Sequence, residues 1–293
     1  MRWTPRRERF RALLSGDACF HPGSVYDAIS ARIAEDLGFE TGMFAGSIAS
    51  MTVLGAPDIV VLTLSEFADQ AHRICRAGEL PLIVDADHGY GNALNVMRTV
   101  EALENAGVAA LTIEDTELPP AYDSSKARRL IPVAEGIGKM RAALEARRDP
   151  GLVIMGRTSA AAITGIDEAI VRARAYQEVG VDAIFLAGMK TRDELAAIAA
   201  EIDIPIMLGG ASAELSDRAF LAAHGVRIAL QGHLPFSAGV GAVYETLKAL
   251  RDGTQPADIS HAGSRELMAR VLRQDDYGRW TDDYLGDDGA TTG

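Results

Sequence analysis

Short apolar runs alternate with helical patterns along nearly the whole of this 293-residue chain. Each run is brief and continuously apolar, which is typical of parallel strands that are buried on both faces. The predicted strands lie at residues 18–20, 41–45, 82–85, 110–114, 153–158, 183–186, 205–208 and 226–230. Eight strands that alternate with helices predict an α/β fold closed into one (β/α)8 barrel of the TIM type. A doubly wound sheet would give a similar pattern, but no GxGxxG run follows the first strand here.

Helical patterns occupy the intervals between the strands, at residues 25–37, 94–106, 134–146, 166–179, 192–201 and 213–223. No long linker rich in Pro, Gly or Ser divides the chain, so we expect a single domain over residues 1–293. At the N-terminus, an amphipathic helix over Phe10, Leu13 and Leu14 is expected to pack on this domain. After the barrel we expect a helical extension from about residue 240. It should include a helix at 264–272 and then a polar tail, disordered over 286–293.

The net charge of −12 argues against binding to nucleic acid or to an anionic membrane. No run of about 18 or more apolar residues is present, so no transmembrane helix is expected. The two cysteines, Cys19 and Cys75, are far apart and lack the spacing of a metal or redox site. A reducing, cytoplasmic location is therefore expected.

Acidic residues follow several predicted strands, which is where barrel enzymes place their active sites. Asp85 and Asp87 end the third strand, Glu114 ends the fourth, and Asp58 comes after the second. Carboxylates that crowd together repel one another, and a hard cation with oxygen ligands, such as Mg²⁺, would hold them together. The alternative is that these acids only cap helices or face solvent in loops.

Three further features complete the predicted barrel mouth. Arg157 ends the fifth strand and suits a bidentate grip on a substrate carboxylate, or else an internal salt bridge to one of the acids. Gly46 and Ser47 could offer backbone N–H groups to an oxyanion. His233 follows the eighth strand beside Gly232, so we expect its ring to face the acids across the mouth.

Lys190, after the sixth strand, offers an alternative to a metal, because a lysine there could form a Schiff base with a 2-oxo acid. However, it lies just before Thr191-Arg192-Asp193-Glu194, a sequence typical of the start of a helix. We therefore expect Lys190 to be exposed at a helix end.

Five short motifs occur in consistent order over about residues 18–250. They are Gly46-Ser47, Pro57-Asp58, Val84-Asp85-Ala86-Asp87-His88-Gly89-Tyr90-Gly91, Thr112-Ile113-Glu114-Asp115 and Gly156-Arg157-Thr158. Together they resemble the isocitrate lyase/phosphoenolpyruvate mutase superfamily. The resemblance implies a (β/α)8 barrel whose last helix is exchanged between neighbouring subunits, commonly within tetramers. It also implies that Asp85 contacts Mg²⁺ (or Mn²⁺) directly, while Asp87, Glu114 and Asp58 hold its waters.

Two departures from the superfamily pattern narrow the choice among the branches of the superfamily. The lyases carry a cysteine acid in a Lys-Lys-Cys-Gly-His loop, whereas residues 117–129 here contain no cysteine. The phosphonate enzymes have an Asp-Ser-Asn-Glu gate, whereas Asp58 here is followed by Ile59-Val60-Val61. His88 and the run Gly232-His233-Leu234-Pro235 resemble the oxaloacetate decarboxylase branch.

The resemblance therefore implies a carboxy-lyase that converts oxaloacetate to pyruvate and CO2 through an enolpyruvate intermediate stabilised by Mg²⁺. Arg157 would bind the substrate carboxylate, and the amides near Gly46 and Ser47 would bind the 2-oxo acid oxygens. His233, or a water that it orients, is the candidate proton donor, and Asp58 is the third candidate catalytic residue. The expected partners are a small 2-oxo dicarboxylate and further copies of the chain in a homotetramer, with no nucleic acid and no membrane.

Two alternatives to this activity stay open. One is another enzyme of the superfamily that cleaves a C–C or C–P bond, similar to methylisocitrate lyase or phosphonopyruvate hydrolase. The other is a barrel that binds a 2-oxo acid without turnover.

Overall fold

The computed structural model describes residues 3–120, 128–210, 212–260 and 263–286. Contacts between Cα atoms divide the chain into two compact units, Met1–Phe236 and Ser237–Gly293. The predicted extension from about residue 240 lies within the second unit.

The first unit is built on one sheet of eight parallel strands arranged in sequential order. The strands are β1 Gly23–Ser24, β2 Gly42–Phe44, β3 Leu82–Asp85, β4 Ala110–Glu114, β5 Val153–Thr158, β6 Ala183–Ala187, β7 Ile206–Gly209 and β8 Val226–Ala229. Phe20 closes the circle: its N–H donates to the carbonyl of Arg227 at 2.8 Å, and its carbonyl accepts from Ala229 at 2.9 Å. The predicted (β/α)8 barrel is confirmed.

Helix α1, Thr4–Ser15, precedes β1, and further helices connect the successive strands of this unit. They are α2 Ala28–Asp36, α3 Gly46–Ala49, α4 Leu64–Cys75, α5 Ala93–Ala106, α6 Val133–Ala146, α7 Ala160–Ile163, α8 Ile166–Val179, α9 Arg192–Ala199 and α10 Arg218–Ala223. Helix α4, which begins with a capping box between Thr63 and Glu66, was not among the predicted helices. The prediction of one continuous helix at 213–223 is wrong, because a short 3₁₀ turn, Ala213–Leu215, comes before α10. Helix α10 has its own N-cap, Asp217, whose side chain accepts hydrogen bonds from its first turn.

The first strand was predicted a few residues too early, at 18–20. Phe20 makes only an isolated bridge to Ile228, and β1 begins at Gly23. Between them stands Pro22, which has no backbone N–H to donate to a ladder of hydrogen bonds.

The N-terminal helix α1 packs on the barrel as predicted, with Phe10 and Leu14 buried. It also buries Arg7, which donates to the carbonyl of Val108 at 2.9 Å and to the carboxylate of Asp149 at 2.8 Å. Val108 and Asp149 precede β4 and β5, so α1 lies at the amino ends of the strands. The opposite end of the barrel carries the cavity described below.

The second unit is helical. Helix α11 begins within the first unit and spans Leu234–Arg251, and α12 spans Arg265–Leu272, which confirms the helix predicted at 264–272. The segment after it, predicted as a polar part of the extension, is polar and forms a further helix, α13 Gln274–Leu285, that was not predicted separately. Asp275 and Asp276 in its first turn favour a helix start, since negative charge is stabilising there. Residues 287–293 of the predicted tail lie outside the described residues, and the exchange of a helix between subunits stays a prediction.

No helix in the described part of the chain is long and apolar enough to cross a membrane.

Candidate active site

A cavity of about 310 Å³ opens at the carboxyl ends of the strands. Seven of the residues predicted from the sequence line it: Ser47, Asp58, Asp85, Asp87, Glu114, Arg157 and His233. Gly46 is not among the lining residues but lies against the carboxylate of Asp87, and sequence reasoning missed the further lining residues Thr116, Arg128 and Phe185. The strand ends therefore bring residues from distant parts of the sequence to one place.

Asp85, the last residue of β3, is fixed by its neighbours on the next two strands. Its side chain Oδ1 accepts a hydrogen bond from Oγ1 of Thr112 at 2.8 Å, and Oδ2 contacts the guanidinium of Arg157. Thr112 is the register partner of Asp85 on β4. With only 8% of the residue exposed, this carboxylate has little freedom to turn away from the cavity.

Asp87 stands on a tight turn that follows β3. Its φ of +48° lies in the left-handed region, as does that of Tyr90 at +59°. The carbonyl of Asp87 accepts from the N–H of Glu114 at 2.8 Å, which ties this turn to the end of β4. Its carboxylate lies so close to Gly46 that a Cβ there would be 2.6 Å from both oxygens. Gly46 is thus required by a close approach, a role distinct from the oxyanion contact predicted for its amide.

The carboxylates of the cavity repel one another. Burial raises the pKa of Asp87 well above its usual range, and the charges of Asp85 and Glu114 raise it further, against the opposing effect of Arg157. Burial also raises the pKa of Glu114, while Arg157 and a hydrogen bond from Thr116 at 2.9 Å act in the opposite direction. This repulsion is what a bound cation would relieve.

Arg157 lies between the acids and an aromatic ring. Its guanidinium contacts Asp85, lies 3.5 Å from Oε2 of Glu114, and stacks 5.1 Å from the ring centre of Phe185. Burial lowers its pKa, but the two carboxylates outweigh burial and the net shift is upward, so it stays charged. Among the described residues, its buried Nε has no hydrogen-bond partner.

His233 reaches the cavity from the opposite side, beyond the end of β8. Gly232 turns the chain with a φ of +79°, and Nδ1 of His233 makes a hydrogen bond of 2.8 Å with Oγ of Ser24 on β1. Burial lowers the pKa of His233, although Asp85 opposes this effect. The ring is therefore mainly neutral at pH 7, and with Nδ1 engaged by Ser24 it presents Nε2 to a bound molecule.

Asp58 lines the cavity and is exposed, and its charge raises the pKa of Asp87. Two residues later, Val60 has a φ of +61°, which a β-branched residue rarely adopts. Lys190 is exposed at the start of α9, where its N–H donates to Glu194 at 2.8 Å, and it is not among the described residues that line the cavity. Of the cysteine-free loop 117–129, residues 121–127 lie outside the described residues.

The donor set fits a hard divalent cation. Asp85, Asp87 and Glu114 supply only oxygen atoms, which suit Mg²⁺ better than a softer metal. Over the ranges that the structure describes, no three His, Cys, Asp or Glu side chains converge as a metal site, and Arg157 contacts both Asp85 and Glu114. The raised pKa values of Asp87 and Glu114 are the observation that favours a cation here.

The chain is similar to known proteins over nearly its whole length. The family described as phosphoenolpyruvate phosphomutase matches residues 10–251. A protein of Bradyrhizobium sp. (strain BTAi1) named oxaloacetate decarboxylase is 58% identical over 285 residues, 97% of this chain and 99% of that protein. A protein of the same name from Rhodopseudomonas palustris (strain BisA53) is 56% identical over 286 residues, 98% of this chain and 99% of that one.

Two solved structures share the fold over nearly the full length. One is oxaloacetate acetylhydrolase with the inhibitor 3,3-difluorooxalacetate, with a TM-score of 0.83, 28% identity, and coverage of 97% of this chain and 98% of that one. The other is phosphonopyruvate hydrolase with oxalate and Mg²⁺, with a TM-score of 0.82, 28% identity, and coverage of 96% and 99%.

Proposed function

Because this chain belongs to the phosphoenolpyruvate phosphomutase family, we propose that it decarboxylates oxaloacetate to pyruvate and CO2 with the help of Mg²⁺. The isocitrate lyase/phosphoenolpyruvate mutase superfamily predicted from its motifs is confirmed by this match and by its structural relatives. Relatives named oxaloacetate decarboxylase, at 56–59% identity over nearly the whole chain, support the choice of reaction.

One observation carries the proposal: a histidine faces a group of buried acids and an arginine across a single cavity. Arg157 supplies a planar cation for the carboxylate next to the 2-oxo group. Ser47 lies at the start of α3, where its backbone N–H can meet an oxygen of the same end of the substrate. His233 is then left with the opposite end, where the departing carboxylate and the carbon that takes up a proton would lie.

The acids would hold the metal. Asp85 is kept in place by Thr112 and Arg157, Asp87 by its turn, and Glu114 by Thr116. When bound, Mg²⁺ supplies positive charge that stabilises the negative charge developing on the 2-oxo oxygen as CO2 leaves.

His233 serves the last step, the addition of a proton to C3. The neutral ring keeps its own proton, so Nε2 would orient a water that donates the proton to C3 and releases hydroxide to solvent, while Ser24 fixes the ring through Nδ1. Because burial lowers its pKa, His233 does not hold the leaving carboxylate in a strong ion pair. Such an ion pair would stabilise the carboxylate of the substrate, so a neutral ring favours the release of CO2.

The test is a product assay with oxaloacetate, methylisocitrate and phosphonopyruvate as separate substrates. We expect pyruvate and CO2 from oxaloacetate, formed faster than in an enzyme-free solution with the same Mg²⁺, and negligible turnover of the other two. Oxalate as the product, as in the acetylhydrolase relative whose structure holds the product oxalate, would contradict decarboxylation.

A second assay separates metal chemistry from a Schiff base. Borohydride added with oxaloacetate should leave no adduct on the protein, and Lys190→Ala should keep near-normal rates. A reduced adduct on Lys190, detected by mass spectrometry, would overturn the assignment.

A further inference from the structure

Lys139 is a buried lysine that the proposed chemistry does not use. It lies in α6 with only 3% of the residue exposed, and its Nζ donates a hydrogen bond to the carbonyl oxygen of His88 at 2.9 Å. Within the part of the chain that the structure describes, this ammonium group forms no ion pair with a carboxylate. Burying a charged group costs free energy, so a position that served packing alone would favour an apolar side chain.

The acceptor of this hydrogen bond lies in the turn that presents Asp87. His88 follows Asp87 directly, and the turn contains left-handed backbone at Asp87, Gly89 and Tyr90. A non-glycine residue is strained in this region and persists only where its surroundings hold it. Apart from the bonds to the end of β4, the turn is held by Thr99, whose Oγ1 donates to the carbonyl of Gly89 at 2.9 Å, and by Lys139.

Lys139 also places a positive charge behind the acids of the cavity. Burial lowers its pKa, but Glu135, Glu114 and Asp115 raise it, which shows that the last two lie within electrostatic reach. Asp115 already has strong partners, since it accepts from Arg172 at 3.0 Å and from Tyr176 at 2.7 Å. Glu135 has the largest of these charge effects, so the direct link from Lys139 to the cavity is its hydrogen bond to the turn.

We infer that Lys139 is a positioning residue: its hydrogen bond to the His88 carbonyl holds the turn after β3 so that Asp87 faces Gly46 and the cavity. The inference rests on the proposed function, because Asp87 matters only if the acids hold Mg²⁺. Lys139 is not among the described residues that line the cavity, so it acts through Asp87 and not on the substrate.

The test is calorimetric titration of the metal-free protein with Mg²⁺ in the presence of oxalate. Lys139→Met keeps the length of the side chain but removes the donor and the charge. It should weaken Mg²⁺ binding by about 10–100-fold, the usual effect of removing a residue that orients a metal ligand, while the protein still unfolds cooperatively. The matched control is Lys190→Met, which removes an exposed ammonium group outside the cavity and should leave the Kd unchanged.

A second comparison asks whether the effect passes through Asp87. In an Asp87→Asn background, Lys139→Met should weaken Mg²⁺ binding much less, because the group that it positions is gone. Asn is chosen because it tolerates left-handed backbone. An undiminished, additive loss would overturn the inference, as would a wild-type Kd for the single Lys139→Met variant.

A variant that fails to fold must be distinguished from one that folds but binds Mg²⁺ weakly. If Lys139→Met does not fold, Lys139→Leu, which also lacks a donor and a charge, is titrated instead and is judged by the same criterion. If neither variant folds, Lys139 serves the fold and the inference fails. If the wild-type protein itself does not bind Mg²⁺, the proposed function fails, and the inference fails with it.

Discussion

The carboxylate of Asp87 and the Cα of Gly46 lie in such close contact that no side chain fits between them. A Cβ on residue 46 would stand 2.6 Å from both carboxylate oxygens. Gly46 follows β2 and Asp87 follows β3, so this contact joins two neighbouring strand ends at the floor of the cavity.

Gly46→Ala should therefore displace Asp87 and lower kcat for oxaloacetate by at least about tenfold, since a 1 Å misplacement can cost about 10²-fold. Steady-state kinetics at saturating Mg²⁺ measure the effect. The control is Gly138→Ala in α6, where a Cβ would meet nothing within 4 Å. That variant should keep its activity and gain about 0.5–1 kcal/mol of stability. Full activity of Gly46→Ala would show that Asp87 can move without consequence.

His233→Gln should lower kcat for oxaloacetate by at least about tenfold, because positioned proton transfer typically contributes ~10²–10⁴-fold. Oxalate resembles the enolate but has no leaving group, so its affinity should be nearly unchanged. Ser24→Ala should cause a smaller loss in the same direction, since it removes only the hydrogen bond to Nδ1.

The matched control for His233 is His224→Gln. The ring of His224 is bonded through Nδ1 to the carbonyl of Phe220 and is not among the described residues that line the cavity. Its substitution should leave kcat unchanged. An equal loss of oxalate binding in His233→Gln would instead place His233 at the metal-binding end of the substrate.

Removal of the metal should abolish the activity. We expect no turnover in EDTA and recovery on addition of Mg²⁺ or Mn²⁺, measured as pyruvate formed. Asp85→Ala should fold and lose most of its turnover at any Mg²⁺ concentration, whereas Asp69→Ala, an exposed change on α4, should not. Full activity of metal-free protein would rule out the proposed mechanism.

The stability of the metal-free protein should depend on the ionisation of Asp87. The folded-state pKa of this carboxyl is raised by burial and by Asp85 and Glu114, so folding favours its protonated form. The stabilisation that comes from protonated Asp87 is fully present below the unfolded-state pKa of this carboxyl. It is lost as the pH rises through the folded-state pKa. The advantage of Asp87→Asn over the wild type should therefore grow with pH, by at most about 1.4 kcal/mol per pH unit. Urea unfolding in EDTA at a series of pH values measures it; a difference that is constant with pH would contradict the assignment.

The acids and Arg157 could be predicted from the sequence because their strands are continuous apolar runs with clear ends. The bounds predicted for β3, β4 and β5 agree with the structure, and Asp85, Glu114 and Arg157 lie at or beside those ends. Residues at the ends of parallel strands meet at one face of a barrel, so their spatial grouping follows from the pattern alone.

The supporting contacts could not be predicted in this way. Ser24 and His233 are 209 residues apart, and their hydrogen bond depends on how the barrel closes. Because the first strand was predicted at 18–20, Ser24 was not recognised as the residue at its end, and this hydrogen bond was not predicted. Lys139 in turn belongs to a helix, and its burial depends on how that helix is rotated against the sheet, which the sequence does not specify. Helix α13 was missed because its residues are largely polar.

The closure of the barrel between β8 and β1 has a consequence for motion. Among the described residues, one backbone bridge joins β8 to the segment before β1, and β1 itself is only two residues long, whereas β4 and β5 pair along the whole of β4. Local opening is easiest where the fewest backbone hydrogen bonds are buried. Amide hydrogen exchange should therefore be fastest along this seam. Ser24 and His233 stand on its two sides, so an opening of this seam would break the hydrogen bond that fixes the ring of His233.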